Sequence, residues 1–496
     1  TFEEVTASAG IDQIYDGEFQ YFVGGGLAVF DCDADRKPEL FVAGGTEPAA
    51  LFHNRSIPGS SIRFSRLDRP NLELTGVTGA YPLDIDSDGV TDLAVLRVGE
   101  NVLMRGLGEC RFEHRDPWNV DGGDAWTVAF SATWEDEAAL PTMAFGNYLR
   151  LKEGGARDEC EDHFLFRPGE SGYEAPTVLT PGFCTLSMLF SDWSRSGTAD
   201  LRMANDRHYS RDGREQLWDM SGRPEPYTEE DGWQPLRIWG MGIASQDLDG
   251  DGVPEVYLTS QGDNKLQRLV GGPGNPEYVD VALEAGVNAH RPFVGETLRP
   301  STAWHAEFDD VNNDGFVDLF VTKGNVEAQP DFAREDPNNL LLGQADGTFS
   351  EVAGAAGVID LDRSRGGAVV DLDLDGALDI VVVERREPVR VWRNIEPGGG
   401  HWLALDVSQP GMNRDAVGGW IEVDMGHQIL SREITVGGGH ASGQLGWHHV
   451  GLGANERPRV RIVWPDGSRS GWEDLAANRF VIWDRTAGPI EWTPSG

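Results

Sequence analysis

Along this chain short apolar runs alternate with tight polar turns, and one combination recurs: an apolar run, carboxylates at every second position, then another apolar run. FDCDADRKPELFVAG carries Asp31, Asp33, Asp35 and Glu39, and PLDIDSDGVTDLAVL carries Asp84, Asp86, Asp88 and Asp92. SQDLDGDGVPEVYLT holds Asp247, Asp249, Asp251 and Glu255, FDDVNNDGFVDLFVT holds Asp310, Asn312, Asp314 and Asp318, and VVDLDLDGALDIVVV holds Asp371, Asp373, Asp375 and Asp379. Flanks such as DIVVV and DLFVT read as strands, not as the helices of an EF-hand. Oxygen donors at positions 1, 3, 5 and 9, with a backbone carbonyl expected at 7, have the spacing of a Ca2+ loop. Gly89, Gly252, Gly315 and Gly376 at position 6 permit the turn that wraps the ion. Carboxylates packed this closely repel, so a cation is their physical counterweight. Many oxygens and no His or thiolate in the loops favour Ca2+ over Mg2+, at about five sites. The first loop departs from the pattern, with Arg36 in the place of the Gly.

Two further segments keep the register without the ligands. LFSDWSRSGTADLRM retains Asp192 and Asp200 but has Ser194 and Ser196 between them, and is expected to bind metal weakly or not at all. The stretch around Trp134 has lost the pattern. Seven units, each with room for about four short strands, predict an all-β fold, a seven-bladed β-propeller. A second repeated element, EYVDVALEAGV and TFSEVAGAAGV, is missing after the seventh unit and appears instead at the N-terminus as TFEEVTASAGI. The N-terminal strand is therefore expected to complete the last blade and close the ring. The repeat stops at the Gly-rich EPGGG near residue 396, which places a propeller over 1–396 and a small β-sandwich-like domain over 397–496.

These residues carry a resemblance. Loops of the form DxDxDGxxDL resemble the FG-GAP/VCBS repeats of integrin-α-like propellers. TFEEVTASAGI, GNVEAQPDF and NLLLGQADGTFSEV resemble the repeats of bacterial CRTAC1/ASPIC-type proteins, and NRDAVGGWIEV, GGGHASGQLGWHHVGLG and VWPDGSRSGWEDLAANRFV resemble the ASPIC/UnbV domain that ends those proteins. The resemblance spans nearly the whole chain. It implies an exported protein with structural calcium and leaves activity open.

Composition sharpens this picture. The 496 residues carry 41 Lys+Arg against 82 Asp+Glu, a net charge of −41, which excludes nucleic acid and anionic membranes as partners. Five divalent ions would add ten positive charges and leave −31, a solvated surface. An apolar share of 39% with 16 Trp supports a real core. No run of 18 apolar residues predicts a membrane span, and the chain is expected to be a monomer. It begins at Thr1 without Met or apolar leader, so the reading is of an extracytoplasmic protein whose export signal is not in this chain. Cys160 and Cys184 bracket a Gly/Pro-rich excursion and are expected to form a disulfide; Cys32 reads as a buried filler and Cys110 is unassigned.

Candidate chemistry gathers at the expected channel. The segments preceding each acidic loop would bring Tyr81, Met188, Trp239, Met241, Trp304, His305 and Glu307 toward the axis, with Met188 and Met241 as filling. His305 and Glu307, two apart on a strand, share a face and are a candidate acid/base pair or a structural polar pair. ANDRHYSRDGREQLW holds Arg207, His208, Tyr209 and Arg211 in a loop that would bind a carboxylate or phosphate, or form a rim. Loops 115–126 and 323–332 are long enough to shape a pocket. His440, His448 and His449 have poor zinc spacing and read as structural. No GxSxG, HExxH, Walker loop or dinucleotide fingerprint occurs. Three readings compete. One is a calcium-stabilised module binding a protein, glycan or small molecule at the channel mouth through Arg207, Arg211, Trp126, Trp239, Trp304 and Tyr81. Another is a lyase, isomerase or cyclase using His305, Glu307, His208 and Tyr209. The third is a structural scaffold.

Overall fold

A computed structural model describes residues 1–494 apart from 115–117, 119, 121, 137, 153–154 and 170–171. Each acidic loop connects two antiparallel strands, and each such pair grows outward into a small sheet. The first sheet runs Leu27–Phe30, Glu39–Val42, Ala50–Asn54 and Phe64–Arg66, with Gly443–Gln444 added parallel to its inner strand. The fifth (Gly240–Gln246, Glu255–Ser260, Lys265–Leu269, Tyr278–Asp280) and sixth (Ala303–Asp309, Asp318–Lys323, Asn339–Gly343, Phe349–Glu351) repeat that order. In the last sheet Ser364–Val370, Asp379–Glu384 and Arg390–Asn394 are followed by the N-terminal strand Phe2–Glu4, with Phe2 opposite Asn394 and Glu4 opposite Trp392.

The repeated AG[VI] element has a local cause. It forms one-turn helices at Thr6–Ala9, Ala282–Ala285 and Ala353–Ala356, each ended by a glycine in the left-handed region, Gly10, Gly286 and Gly357 at φ of 79°, 80° and 89°. Only glycine adopts that conformation without steric cost.

The closed seven-bladed propeller expected from the sequence is not what forms: among the described residues no sheet closes on itself into a propeller or barrel. Most sheets stay separate and open with four strands. The second and third merge into one eight-stranded sheet, because Val77–Leu83 pairs with the nine-residue strand Asp92–Glu100, whose end pairs again with Asp124–Trp126. The N-terminal strand adds an outer edge to the last sheet and leaves it open.

The C-terminal residues form two further four-stranded sheets. One is built from His401–Ser408, His448–Gly453, Arg479–Asp484 and Gly488–Trp492, and the other from Trp420–Asp424, Ile429–Glu433, Arg459–Val463 and Glu473–Asp474. Their apolar faces do not form a core of their own alone. Leu403, Leu405, Ile421, Val423, Val460 and Trp483 share one buried cluster with Tyr81, Phe130 and Phe145 of the second and third sheets.

The expected central channel is also absent, because segment 436–445 fills it. Ala132 N donates to Val436 O (3.1 Å), Gly438 N to Met188 O (2.7 Å), Gly439 N to Ile243 O (2.7 Å), Ala80 N to Ala441 O (3.2 Å) and Leu445 N to Val29 O (2.9 Å). His440 N donates to His305 Nδ1 at 3.1 Å, and Gly366 packs on Ser442 Oγ. One short segment thus meets the inner strands of all seven units. The crowding explains its glycines and theirs: a Cβ on Gly26 would lie 1.8 Å from Ala441 O, and one on Gly79 2.2 Å from the same atom. Between this segment and the inner strands remains a cavity of about 230 Å³, bordered by Glu307, Asp309, Arg432 and Gln444.

Candidate metal centres

The acidic loops are folded by their own carboxylates. At position 1, Asp84 accepts from Asp88 N (3.0 Å) and Gly89 N (2.8 Å), Asp310 from Asp314 N (3.2 Å) and Gly315 N (2.7 Å), and Asp371 from Asp375 N (3.0 Å) and Gly376 N (2.8 Å). At position 9, Asp92, Asp318 and Asp379 each accept one N–H from the loop and one from the third strand, Gly106 N, Gly343 N and Asn394 N at 2.8–2.9 Å. Gly89, Gly252, Gly315 and Gly376 have φ between 87° and 90°, which glycine adopts without steric cost, whereas the first loop puts Arg36 there at φ 66°.

Burial then works against these groups. It pushes Asp84 and Asp247 up to about 6, Glu255 up to about 7 and Asp92 up to about 8, with neighbouring loop carboxylates adding to the rise. Asp310, Asp318, Asp371 and Asp379 are held well above the carboxylate range for the same reasons. A divalent cation reverses that logic. Carboxylate oxygens converge within 4.8 Å in Asp31/Asp33/Glu39, Asp84/Asp86/Asp92 and Asp247/Asp249/Asp251, so several clusters are able to coordinate a metal ion. Two buried oxygens in these loops, Asp86 Oδ1 and Asp373 Oδ1, have no hydrogen-bond partner. The residues fit a hard, oxygen-bound ion.

The loops are also where the C-terminal residues sit. Arg36 of the first loop pairs with Asp406, and Trp447 Nε1 donates to Arg36 O at 3.0 Å. Asn413 N donates to Ser87 Oγ at 3.0 Å. Gly451 lies against Asp310 Oδ2, Gly453 N donates to Asn313 O at 3.1 Å, and His449 Nε2 meets Asn313 Oδ1 at 2.7 Å. Trp402 packs on Gly376. The Ser-bearing loop at 192 is tied in by Glu433, which accepts from Asp192 N (2.7 Å) and Ser191 Oγ (2.6 Å). Asp415, pushed up to about 7 by burial and by Asp84, joins the second loop. Asp415 and Glu433 escaped the sequence reading because they lie over 200 residues from the loops they serve, with no local pattern to mark them.

The candidate chemistry of the expected channel is dispersed. His305 and Glu307 do face one another, Nε2 to Oε2 3.5 Å, but Glu307 also accepts from Val369 N (2.9 Å) and Gln444, and His305 accepts from His440 N. Tyr81 is buried with its Oη on Gly438 O (3.3 Å), and Trp304 is buried with Nε1 on Gly324 O (2.8 Å). Trp126 is buried against Tyr148, and Met188 and Met241 are core. His208 and Tyr209 belong to a different neighbourhood: His208 N donates to Asp206 Oδ1 (3.0 Å), and Tyr209 packs edge-on to Tyr148. Arg207 lies over the half-buried Trp239, 4.9 Å from the ring centre, and Arg211 is exposed. Loop 323–332 caps Trp304, whereas part of loop 115–126 lies outside the described residues. No channel exists for the expected channel-mouth ligand site or the channel-based lyase, isomerase or cyclase site: the described sheets stay open, and segment 436–445 lies across the inner strands, leaving only the cavity bordered by Glu307 and Gln444.

Two family models match separate stretches of the chain. Residues 409–489 match the ASPIC and UnbV family model, and residues 310–382 match an FG-GAP-like repeat. Over 233 residues the chain is 25% identical to cartilage acidic protein 1 of Mus musculus and to that of Homo sapiens, covering 46% of this chain. The chain spans about a third of the length of these curated relatives. Solved structures include a BBS1N–ARL6DN complex (10% identity, 77% of this chain and 93% of that one, TM-score 0.43). Another is an Agrocybe aegerita lectin specific for non-reducing terminal N-acetylglucosamine (14%, 74% and 93%, TM-score 0.39). The matches support an FG-GAP-like, CRTAC1-related and ASPIC/UnbV character in these stretches. The propeller that the resemblance implied over nearly the whole chain is overturned by the open sheets.

Both disulfides are in place. Cys160–Cys184 is bridged as expected, and Cys32, expected as filler, is bonded to Cys110. No described helix is long and apolar enough to cross a membrane.

Proposed function

We propose that the chain is a calcium-dependent structural protein, in which ions in loops 84–92, 247–255, 310–318 and 371–379 set the surface that the C-terminal residues cover. Asp84, Asp86, Asp88 and Asp92, and their counterparts in the other three loops, would hold the ions. What the ion supplies is positive charge among buried carboxylates; the chain's own residues fold the loop and seat the C-terminal sheets. The observation that carries this reading is the pair of buried, unpartnered oxygens, Asp86 Oδ1 and Asp373 Oδ1, in loops whose position-1 and position-9 oxygens are already taken by backbone N–H groups. A buried carboxylate oxygen without a partner is costly, and a cation removes that cost. The division at 396/397 and an extracytoplasmic location belong to the same proposal, the latter supported by two disulfides, which persist in oxidising compartments.

Thermal unfolding of the whole chain tests it. Calcium at 100 times its Kd stabilises the native state by about 2.7 kcal/mol per site, so excess EGTA should lower Tm by many degrees. An unchanged Tm in EGTA overturns the proposal.

A further inference from the structure

Three strands of equal length, Glu255–Ser260, Asp318–Lys323 and Asp379–Glu384, follow their acidic loops and end in Ser260, Lys323 and Glu384. Ser260 N and Lys323 N make the same contact, each donating to an asparagine, Asn264 Oδ1 at 2.9 Å and Asn338 Oδ1 at 2.8 Å. The fold uses the main chain at this position and leaves the side chain free to differ. In the sixth sheet that side chain is an amine shut away from water. Lys323 and Asp336 are both 0% exposed, with Nζ 3.1 Å from Asp336 Oδ1. Among the described residues Nζ has no partner beyond that carboxyl, and Thr302 Oγ1 and Asn338 Nδ2, on two adjoining residues, are buried without partners. A dry ammonium with unspent donors is costly. Asp336 is gripped from its other side, Oδ1 accepting from Ser301 Oγ (2.8 Å) and Oδ2 from Thr302 N (2.6 Å). Glu351, held by Asn339 Nδ2 (3.3 Å), is a second carboxyl that acts electrostatically on Lys323. Burial lowers the Lys323 amine and raises the Glu351 carboxyl from their ordinary values, which favours a free amine beside a protonated acid.

We propose that Lys323 and Asp336 are joined by an amide, formed between Nζ and Cγ within the folded chain. One ammonium proton passes to the carboxylate, and the free amine then attacks Asp336 Cγ. The Nζ–Cγ bond forms and the Cγ–Oδ1 bond breaks. Oδ1 leaves as water with that proton and a second one from Nζ, so nothing is oxidised or reduced. Thr302 N stabilises the charge that develops on Oδ2, the oxygen that stays. Glu351 takes the second amine proton and returns it to the leaving oxygen. The fold fixes both reacting groups in contact, which removes the entropic barrier of bringing them together. The product replaces a buried ion pair by a neutral amide and closes the chain across 323–336, where the Asn325 and Val326 carbonyls hold Arg365. It is independent of the calcium reading, and either can fail without the other.

The intact mass of the oxidised, full-length chain, taken in denaturant, is the test. It should lie one water below the mass of the sequence with its two disulfides. A digest should contain one species that joins the peptide of Lys323 to the peptide of Asp336. Lys323→Arg and Asp336→Ala should each regain the water, and in unfolded Asp336→Ala an amine reagent should label Lys323, which it cannot label in the parent. Glu351→Gln should accumulate chains of full mass, and complete condensation in that variant would overturn the part given to Glu351. The parent decides the main point without any variant. A parent at the full sequence mass, or one whose water is lost at another site, would overturn the proposal and leave Lys323 and Asp336 as an ion pair.

Discussion

Loops 84–92 and 310–318 share one ligand spacing and one turn, with Asn312 where the first has Asp86, yet their surroundings differ in charge. Arg105 puts a guanidinium between Asp86 and Asp88, whereas Leu342 occupies the same register position in the sixth sheet and contributes no charge. Loop 84–92 meets the C-terminal residues through Asn413 and Asp415, while loop 310–318 is sealed by Gly451, Gly453 and His449. Both position-1 carboxylates are buried, Asp84 3% and Asp310 4% exposed, yet Asp310, with Asp314 and Asp309 adding to the effect of burial, is held well above the ordinary range, whereas Asp84 rises to about 6. The comparison teaches that a ligand spacing does not set how strongly a loop needs its ion. A loop with its own arginine carries part of the neutralising charge; a sealed loop facing leucine carries none.

The largest test of this difference removes position 1. With Ca2+ present, Asp310→Ala deletes the acceptor of two buried N–H groups and a metal ligand in the sealed loop, and should cost about 3–5 kcal/mol. Asp84→Ala makes the same deletion in the loop where Arg105 pairs with Asp86 and Asp88, at about 1–3 kcal/mol. Urea denaturation in Ca2+ measures both, and equal losses would mean that the seal and the arginine are irrelevant.

A second test separates the seal from the ion. Burial drives His440 down to about 3, so it sits neutral, with Nε2 accepting from Gly24 N (3.2 Å) and Nδ1–H donating to Met241 O (3.2 Å). The unfolded imidazole titrates near 6.5, so the unfolded chain binds more protons below that pH. Stability from this residue is complete above about 6.5 and falls by about 1.4 kcal/mol per pH unit as pH drops from there toward 3. In saturating Ca2+, where the loop carboxylates stay ionised, unfolding at pH 5 against pH 7 should expose this slope, and His440→Gln should flatten it. If the slope persists unchanged in the variant, other buried imidazoles such as His163, driven down to about 4, carry it instead.

The legible and illegible parts of the molecule divide along the same line. Acid spacing, position-6 glycines and the Cys160–Cys184 staple are local, and local pattern suffices to read them. The middle of the molecule is not local. GGGHASGQ reads as a glycine-rich loop, and nothing in its neighbours says that inner strands from seven units converge on it; only the backbone approaches at Gly26 and Gly79 explain why side chains are excluded. His305 and Glu307, two apart on one strand, meet at 3.5 Å, but His440 and Gln444, which bond to them, lie over 130 residues away. The Cys32–Cys110 bond, 78 residues apart and linking a loop of one sheet to an outer turn of the next, was invisible for the same reason.

The smallest expected effect is the most direct probe of the arginine. Arg105 is about a third exposed, so its two ion pairs are screened and worth about 0.2–1 kcal/mol. Arg105→Leu makes loop 84–92 resemble loop 310–318, and Leu342→Arg does the reverse. When calcium is bound, the ion already neutralises the carboxylates and an arginine adds little. In EGTA the arginine still neutralises Asp86 and Asp88, and its removal takes away both of those ion pairs. The loss from Arg105→Leu should therefore be larger in EGTA than in Ca2+, and Leu342→Arg should reduce the Tm difference between the two buffers. Matched Tm measurements of both variants in both buffers decide it. An arginine effect of the same size with and without calcium would show that the guanidinium stabilises the loop by packing its stem, and that the charge comparison between the two loops has the wrong cause.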